Sequence, residues 1–194
     1  MKYNPEKHHR RSIRLKGYDY LQAGCYYMTL ITQNQECLFG DVVDGEMVLN
    51  ELGEIVQDEW LKTAQIRKNI KLDIFVVMPN HVHGIIIIDA NPVGVIHRIT
   101  LTKPRLFSNS LGSIIGQFKS VVTKRIHKMG IQHFKWQRNY WEHAIRDENE
   151  LNHIQEYIID NPLKWDLDDE NPNSGRPIGS PQQEDYDPTF KTNP

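Results

Sequence analysis

The sequence predicts an α+β fold of the split βαβ, ferredoxin-like kind, with a four-to-five-stranded antiparallel sheet, helices over one face and an extra C-terminal helix. Three observations predict it. Two β-branched runs, "IKLDIFVVMP" (70–79) and "HVHGIIIID" (81–89), meet around Pro79-Asn80 as a tight antiparallel pair. An amphipathic helical pattern precedes this pair and a second follows it. A strand-like stretch comes before the first helix and another after the second, so the order reads β-α-β-β-α-β.

Each element has its own reason. "GCYYMTLITQ" (24–33) is rich in Tyr, Thr and Ile and reads as the first strand. In "NELGEIVQDEWLKTAQI" (50–66), Asn50 stands as an N-cap, acids come early, and Leu52, Ile55, Val56, Trp60 and Ile66 recur near helical spacing. "SLGSIIGQFKSVVTKRIHKMG" (110–130) repeats apolar residues at i, i+3 and i+4, with Ser110 to cap it and Gly130 to end it. "FKWQRNYWEHAIRD" (134–147) reads as the last strand, and "ENELNHIQEYIIDNPLKW" (148–165) as a helix stopped by Pro162. The chain divides into a basic N-terminal arm (1–17), a globular domain (18–165) and an acidic, Pro-rich tail (166–194) expected to be disordered.

The net charge of −2 hides an uneven distribution. Residues 1–16 carry six Lys or Arg against Glu6 alone, whereas residues 166–194 carry seven acids against Arg176 and Lys191. Between Ala90 and Trp141 there is no acid and there are nine Lys or Arg, a span suited to neutralising phosphates. Two cysteines, Cys25 and Cys37, exclude a cysteine-based zinc finger and suggest reduced thiols in a cytoplasm. The opening residues lack the apolar core of a signal peptide, and no stretch is long and apolar enough to span a membrane.

The chemistry is concentrated in "VVMPNHVHGIIII" (76–88). A strand alternates its faces, so His81 and His83 project to one side and can share one ion, while Val82 points to the other. Such a pair is half of a metal site and needs a further ligand. On the last helix, Leu151, Ile154 and Ile158 form an apolar stripe, and Tyr157 and Asn161, four residues apart, share another face. Asn161 can offer a carbonyl oxygen to the ion, with the Tyr157 hydroxyl one helical turn away.

These residues resemble the HUH-type single-tyrosine transposases of the insertion-sequence-200-like family, especially the branch of REP-associated tyrosine transposases. The likeness runs through "RRSIRLKGYDY", "YYMTLITQNQECLFG", "VVMPNHVHGIIII", "LGSIIGQFKSVVTKRI" and "WQRNYWEHAIRDENELNHIQEYIIDNPLKW", and covers about residues 10–165. It implies that His81, His83 and Asn161 bind a divalent metal, Mg²⁺ or Mn²⁺, with His143 as a substitute third ligand, and that Tyr157 is the nucleophile. It also implies cleavage and rejoining of single-stranded or hairpin DNA through a 5′-phosphotyrosine, by a bacterial cytoplasmic enzyme acting as a monomer or homodimer. Arg10, Arg11, Arg14, Lys119, Lys124, Arg125 and Arg138 are the expected phosphate contacts, and Trp136 is an expected stacking platform for bases. Two rival readings, a nucleic-acid-binding module without chemistry and a nuclease using activated water, predict that replacing Tyr157 by Phe leaves function intact.

Overall fold

The computed structural model describes residues 23–89 and 110–174. The arm with Arg10, Arg11 and Arg14, the segment 90–109 and the residues from 175 onward lie outside the described residues.

Among the described residues, six strands and three α-helices follow in the order β1 (Gly24–Ile31), β2 (Gly40–Val43), β3 (Glu46–Leu49), α1 (Glu51–Ile66), β4 (Ile70–Val77), β5 (His81–Ile88), α2 (Leu111–Lys128), β6 (Trp141–Ile145) and α3 (Glu148–Asp160). The main sheet has the order β4-β5-β1-β6, and every neighbouring pair is antiparallel. With β2 and β3 set aside as a separate hairpin, this is the split βαβ, ferredoxin-like topology.

Local sequence accounts for the helix starts. The Asn50 side chain accepts from the amides of Leu52 and Gly53, Ser110 from that of Ser113, and Asp147 from that of Glu150. Each satisfies amides that the first helical turn leaves unpaired. The hairpin of β2 and β3 was not anticipated, although its signal is present: Asp44 and Gly45 both adopt left-handed φ, 52° and 79°, as a two-residue Asp-Gly turn requires.

Strand alternation sends residues to two faces. Tyr26, Met28 and Leu30 of β1, with Val82, Ile86 and Ile88 of β5, meet Val56 and Trp60 of α1 and Ile115, Phe118 and Val122 of α2 in the main core. Trp60 is fully buried, edge-on to Phe118 with ring centroids 5.3 Å apart. It lies directly over Gly84, where an added Cβ would come within 2.4 Å of its ring. The glycine after the histidine pair is therefore a packing requirement. On the opposite face Tyr27 and Ile85 pack with Ile154 and Ile158 of α3. Gln155 donates to Asp73 at 2.8 Å and ties this helix to β4.

Three boundaries differ from expectation. The last strand is only Trp141–Ile145, because residues 131–140 form turns, with an isolated bridge between Thr32 and Trp136. The final helix ends at Asp160 instead of 165. Residues 166–174, read from composition as the start of a disordered tail, are folded: Glu170 and Asn171 are buried, Gln35 donates to the Glu170 carboxylate at 2.6 Å, and Asn171 donates to the Trp165 carbonyl at 2.9 Å. Specific hydrogen bonds offset the high charge density that suggested disorder.

Candidate metal centre and tyrosine

The start of strand β5 places His81 and His83 on the α3 face, with His83 beside Thr29 and Tyr27 of β1. Both imidazoles are almost completely buried, and their ring centroids are 4.4 Å apart. The side-chain oxygen of Asn80 lies 2.8 Å from His81 Nδ1. An amide oxygen can only accept, so this contact places the proton on Nδ1 and turns the Nε2 lone pair into the site. The Nδ1 of His83 lies 2.8 Å from the Tyr27 hydroxyl and 3.0 Å from that of Thr29, leaving its Nε2 aimed the same way.

Helix α3 supplies the tyrosine. Its apolar stripe is held on the sheet, and Tyr157, 40% exposed, sets its hydroxyl 3.5 Å from His83 Nε2. The Tyr157 ring meets those of Tyr27 and His83 edge-on, at centroid distances of 6.3 and 5.3 Å. Just past the helix end, Asn161 is buried and its amide donates to Asp168 at 2.9 Å.

Two buried polar atoms here, His81 Nε2 and Asn161 Oδ1, have no hydrogen-bond partner among the described residues. An orphaned buried acceptor is costly, roughly 1–3 kcal/mol each, and a cation is the simplest partner for two of them. The ligand atoms of His81, His83 and Asp168 all lie within 4.8 Å of one another. The donor set therefore fits a divalent ion. Asp168 was missed in the sequence because it was assigned to the tail; an acid seven residues after Asn161 carries no spacing signal of its own.

Electrostatics agree. Burial pushes the His81 imidazole down to about 4, against the opposing influence of Asp168 and Asn161. Burial, then the proximity of His81, holds His83 well below its usual value. Both rings are neutral at pH 7, the form that ligates metal. Tyr157 is pushed up by burial and then by the negative charges of Asp168, Glu170 and Asp169, so its phenol keeps its proton unless positive charge is brought in.

The remaining expected residues are placed elsewhere. His143 bonds Glu150 at 2.6 Å and stacks on Trp141, outside the His81, His83 and Asp168 cluster. Helix α2 packs on the other face of the sheet, away from the histidines. Its Lys119 donates to the carbonyls of Gln137 and Asn139, both at 3.0 Å, and burial lowers its ammonium to about 8. Arg125 pairs with Asp58 and Glu59 of α1. Trp136 packs among Phe39, Phe118 and Phe134. Lys119, Arg125 and Trp136, expected from the sequence to meet DNA, thus each have partners within the protein, and Arg125 and Trp136 stay partly exposed. Lys124 and Arg138 are exposed.

No family model matches the chain. An uncharacterised protein of Haemophilus influenzae is 42% identical over 172 residues, covering 86% of this chain and 96% of that protein. A second protein of the same organism, a "Putative REP-associated tyrosine transposase", is 24% identical over 146 residues, covering 75% of this chain and 74% of its own. Among solved structures, that of a REP-associated tyrosine transposase bound to a REP hairpin shares the fold, with a TM-score of 0.53 at 20% identity, covering 76% of this chain and 72% of that one.

Proposed function

Starting from a chain that belongs to one family with the 42% identical Haemophilus influenzae protein and resembles the REP-associated tyrosine transposases in sequence and fold, we propose a metal-dependent transposase that cuts and rejoins single-stranded or hairpin DNA. One observation carries the reading: the hydroxyl of Tyr157, a residue 40% exposed, stands 3.5 Å from one of two buried, neutral histidines that share a face.

His81 and His83 would hold a divalent ion through Nε2, with Asn161 Oδ1 as a further donor. Mg²⁺ or Mn²⁺ bound there would supply Lewis-acid charge to a phosphate and favour the tyrosinate. Tyr157 Oη attacks phosphorus, the bond from phosphorus to the 3′ oxygen breaks, and the departing oxygen takes up a proton as a 3′-hydroxyl. The 5′ side stays joined as a phosphotyrosine, whose bond energy remains for the reverse attack by a 3′-hydroxyl. Tyr27 supports this twice: its hydroxyl can accept from His83 Nδ1, which leaves Nε2 free for the ion, and its ring meets that of Tyr157 edge-on. Lys124, Arg138 and the arginines Arg10, Arg11 and Arg14 are the proposed phosphate contacts. The hairpin carried by the solved relative suggests the same class of DNA as partner.

The test is incubation with labelled single-stranded hairpins taken from sequence flanking the gene, with Mn²⁺, Mg²⁺ or EDTA, followed by a denaturing gel. A metal-dependent protein–DNA adduct that disappears in Tyr157→Phe is expected. Cleavage that persists in Tyr157→Phe would instead favour activated water, and binding without cleavage a module without chemistry.

A further inference from the structure

We infer that Asp168, from the segment after the tyrosine helix, is an additional and anionic ligand of the metal, so that the ion fastens residues 165–171 to the sheet. This rests on the reading of His81 and His83 as ligands.

The first argument is placement. A carboxylate oxygen of Asp168 lies with the two imidazole donors inside a 4.8 Å cluster, although Asp168 comes from a different part of the chain than β5. The second is independent of any acid: His81 Nε2 and Asn161 Oδ1, on residues 0% and 2% exposed, are both unpartnered. The third is ligand chemistry. Two imidazoles and an amide are neutral, and hard cations such as Mg²⁺ and Mn²⁺ favour carboxylate oxygen over nitrogen. Without Asp168 the proposed set contains no anionic donor.

The carboxylate is held for this role. Its Oδ2 accepts from Asn161 at 2.9 Å and its Oδ1 from the Glu170 amide at 2.7 Å, and each oxygen has a second lone pair left for an ion. The segment around it is anchored as well. Asn80, whose oxygen orients His81, donates through its nitrogen to the Glu170 carbonyl at 2.6 Å, and Trp165 lies 5.9 Å from the His81 ring. One asparagine thus connects a proposed histidine ligand to the strap that carries Asp168.

Mn²⁺ binding by titration calorimetry tests this without any DNA. The full-length protein is compared with Asp168→Asn, which keeps size and one of the two acceptor oxygens while removing the charge, with His81→Ala, and with Asp166→Asn as an exposed acid of the same segment. The expected result is at least a tenfold loss of affinity in Asp168→Asn, loss of binding in His81→Ala, and wild-type affinity in Asp166→Asn. Wild-type affinity in Asp168→Asn beside a dead His81→Ala would overturn the role of Asp168 while leaving the histidine site standing. Unchanged affinity in His81→Ala would overturn both readings, and equal losses in the two aspartate variants would reduce the effect to general acidity. Hydrogen exchange on the unmodified protein is a second test. Mn²⁺ should slow the amides of 165–171, and unchanged exchange there at saturating Mn²⁺ would also overturn the proposal.

Discussion

The two faces of the main sheet are built from the same strands by alternate residues, yet they are packed on opposite terms. Under α1 and α2, Tyr26, Met28, Val82 and Ile86 pack in a cluster of buried apolar side chains and aromatic rings, and Gly84 lacks the side chain that would collide with the Trp60 ring. One residue away, His81 and His83 are just as buried but meet Asn80, Tyr27, Thr29 and Tyr157, and acceptors are left unfilled. Burial on the first face contributes stability. On the second it excludes water from donors whose lone pairs are oriented but unused, which is how a fold prepares a site for a cation.

The comparison is broken most severely from the apolar side. Trp60→Ala should lower stability by about 3–5 kcal/mol, seen as a lower urea midpoint, because a fully buried ring leaves a cavity over Gly84 that the strand cannot close. A loss below about 1 kcal/mol would show that this face is not the stabilising one.

Acid attacks the polar face next. The folded-state value of His81 lies below its unfolded value, so the unfolded chain takes up the proton first as pH falls. In EDTA, stability should be full above pH 6.5 and decline between pH 6.5 and about 4, by on the order of 3 kcal/mol. His81→Asn should flatten that slope; an identical decline in the variant would assign it to other groups.

Asn80→Ala sharpens the division further. It leaves His81 Nδ1 without its acceptor and the carbonyls of Gln35 and Glu170 without a donor, so about 1–3 kcal/mol of stability should be lost. Mn²⁺ affinity should fall by roughly 10–100-fold, as expected when the partner that orients a ligand is removed. A stability loss with unchanged affinity would make Asn80 a structural residue only.

The smallest effect belongs to Arg125→Ala. Its pairing with Asp58 and Glu59 joins α1 to α2, but Arg125 and Asp58 are more than a third exposed, so thermal unfolding should reveal a loss below about 1 kcal/mol. A larger loss would mean that the helix-covered face depends on ion pairing as well as apolar burial.

Much of this was legible because it is local. The period of two in "HVHGIIII" placed both histidines on one face, and the caps Asn50 and Ser110 and the stripe of Leu151, Ile154 and Ile158 marked helices in advance. The Asp44-Gly45 hairpin was equally local and was overlooked. Partner choice was not legible. Nothing in "FKSVVTKRIHK" shows that Lys119 turns to the carbonyls of Gln137 and Asn139, that Arg125 finds acids on α1, or that the whole helix lies across the sheet from the histidines. Asp168 was hidden for the same reason. Its neighbours Asn161 and Glu170 give it a place only after α3 has docked.

The central claim is that the polar face exists to let Tyr157 attack a phosphate. Digestion of a trapped DNA adduct with trypsin and nuclease, followed by mass spectrometry of the nucleotide-bearing peptide, addresses that claim most directly. The expected product is a nucleotide joined through its 5′ phosphate to Tyr157 in the peptide spanning 147–164. A nucleotide on Tyr27 or any other residue, or DNA cut with no peptide attached, would contradict it.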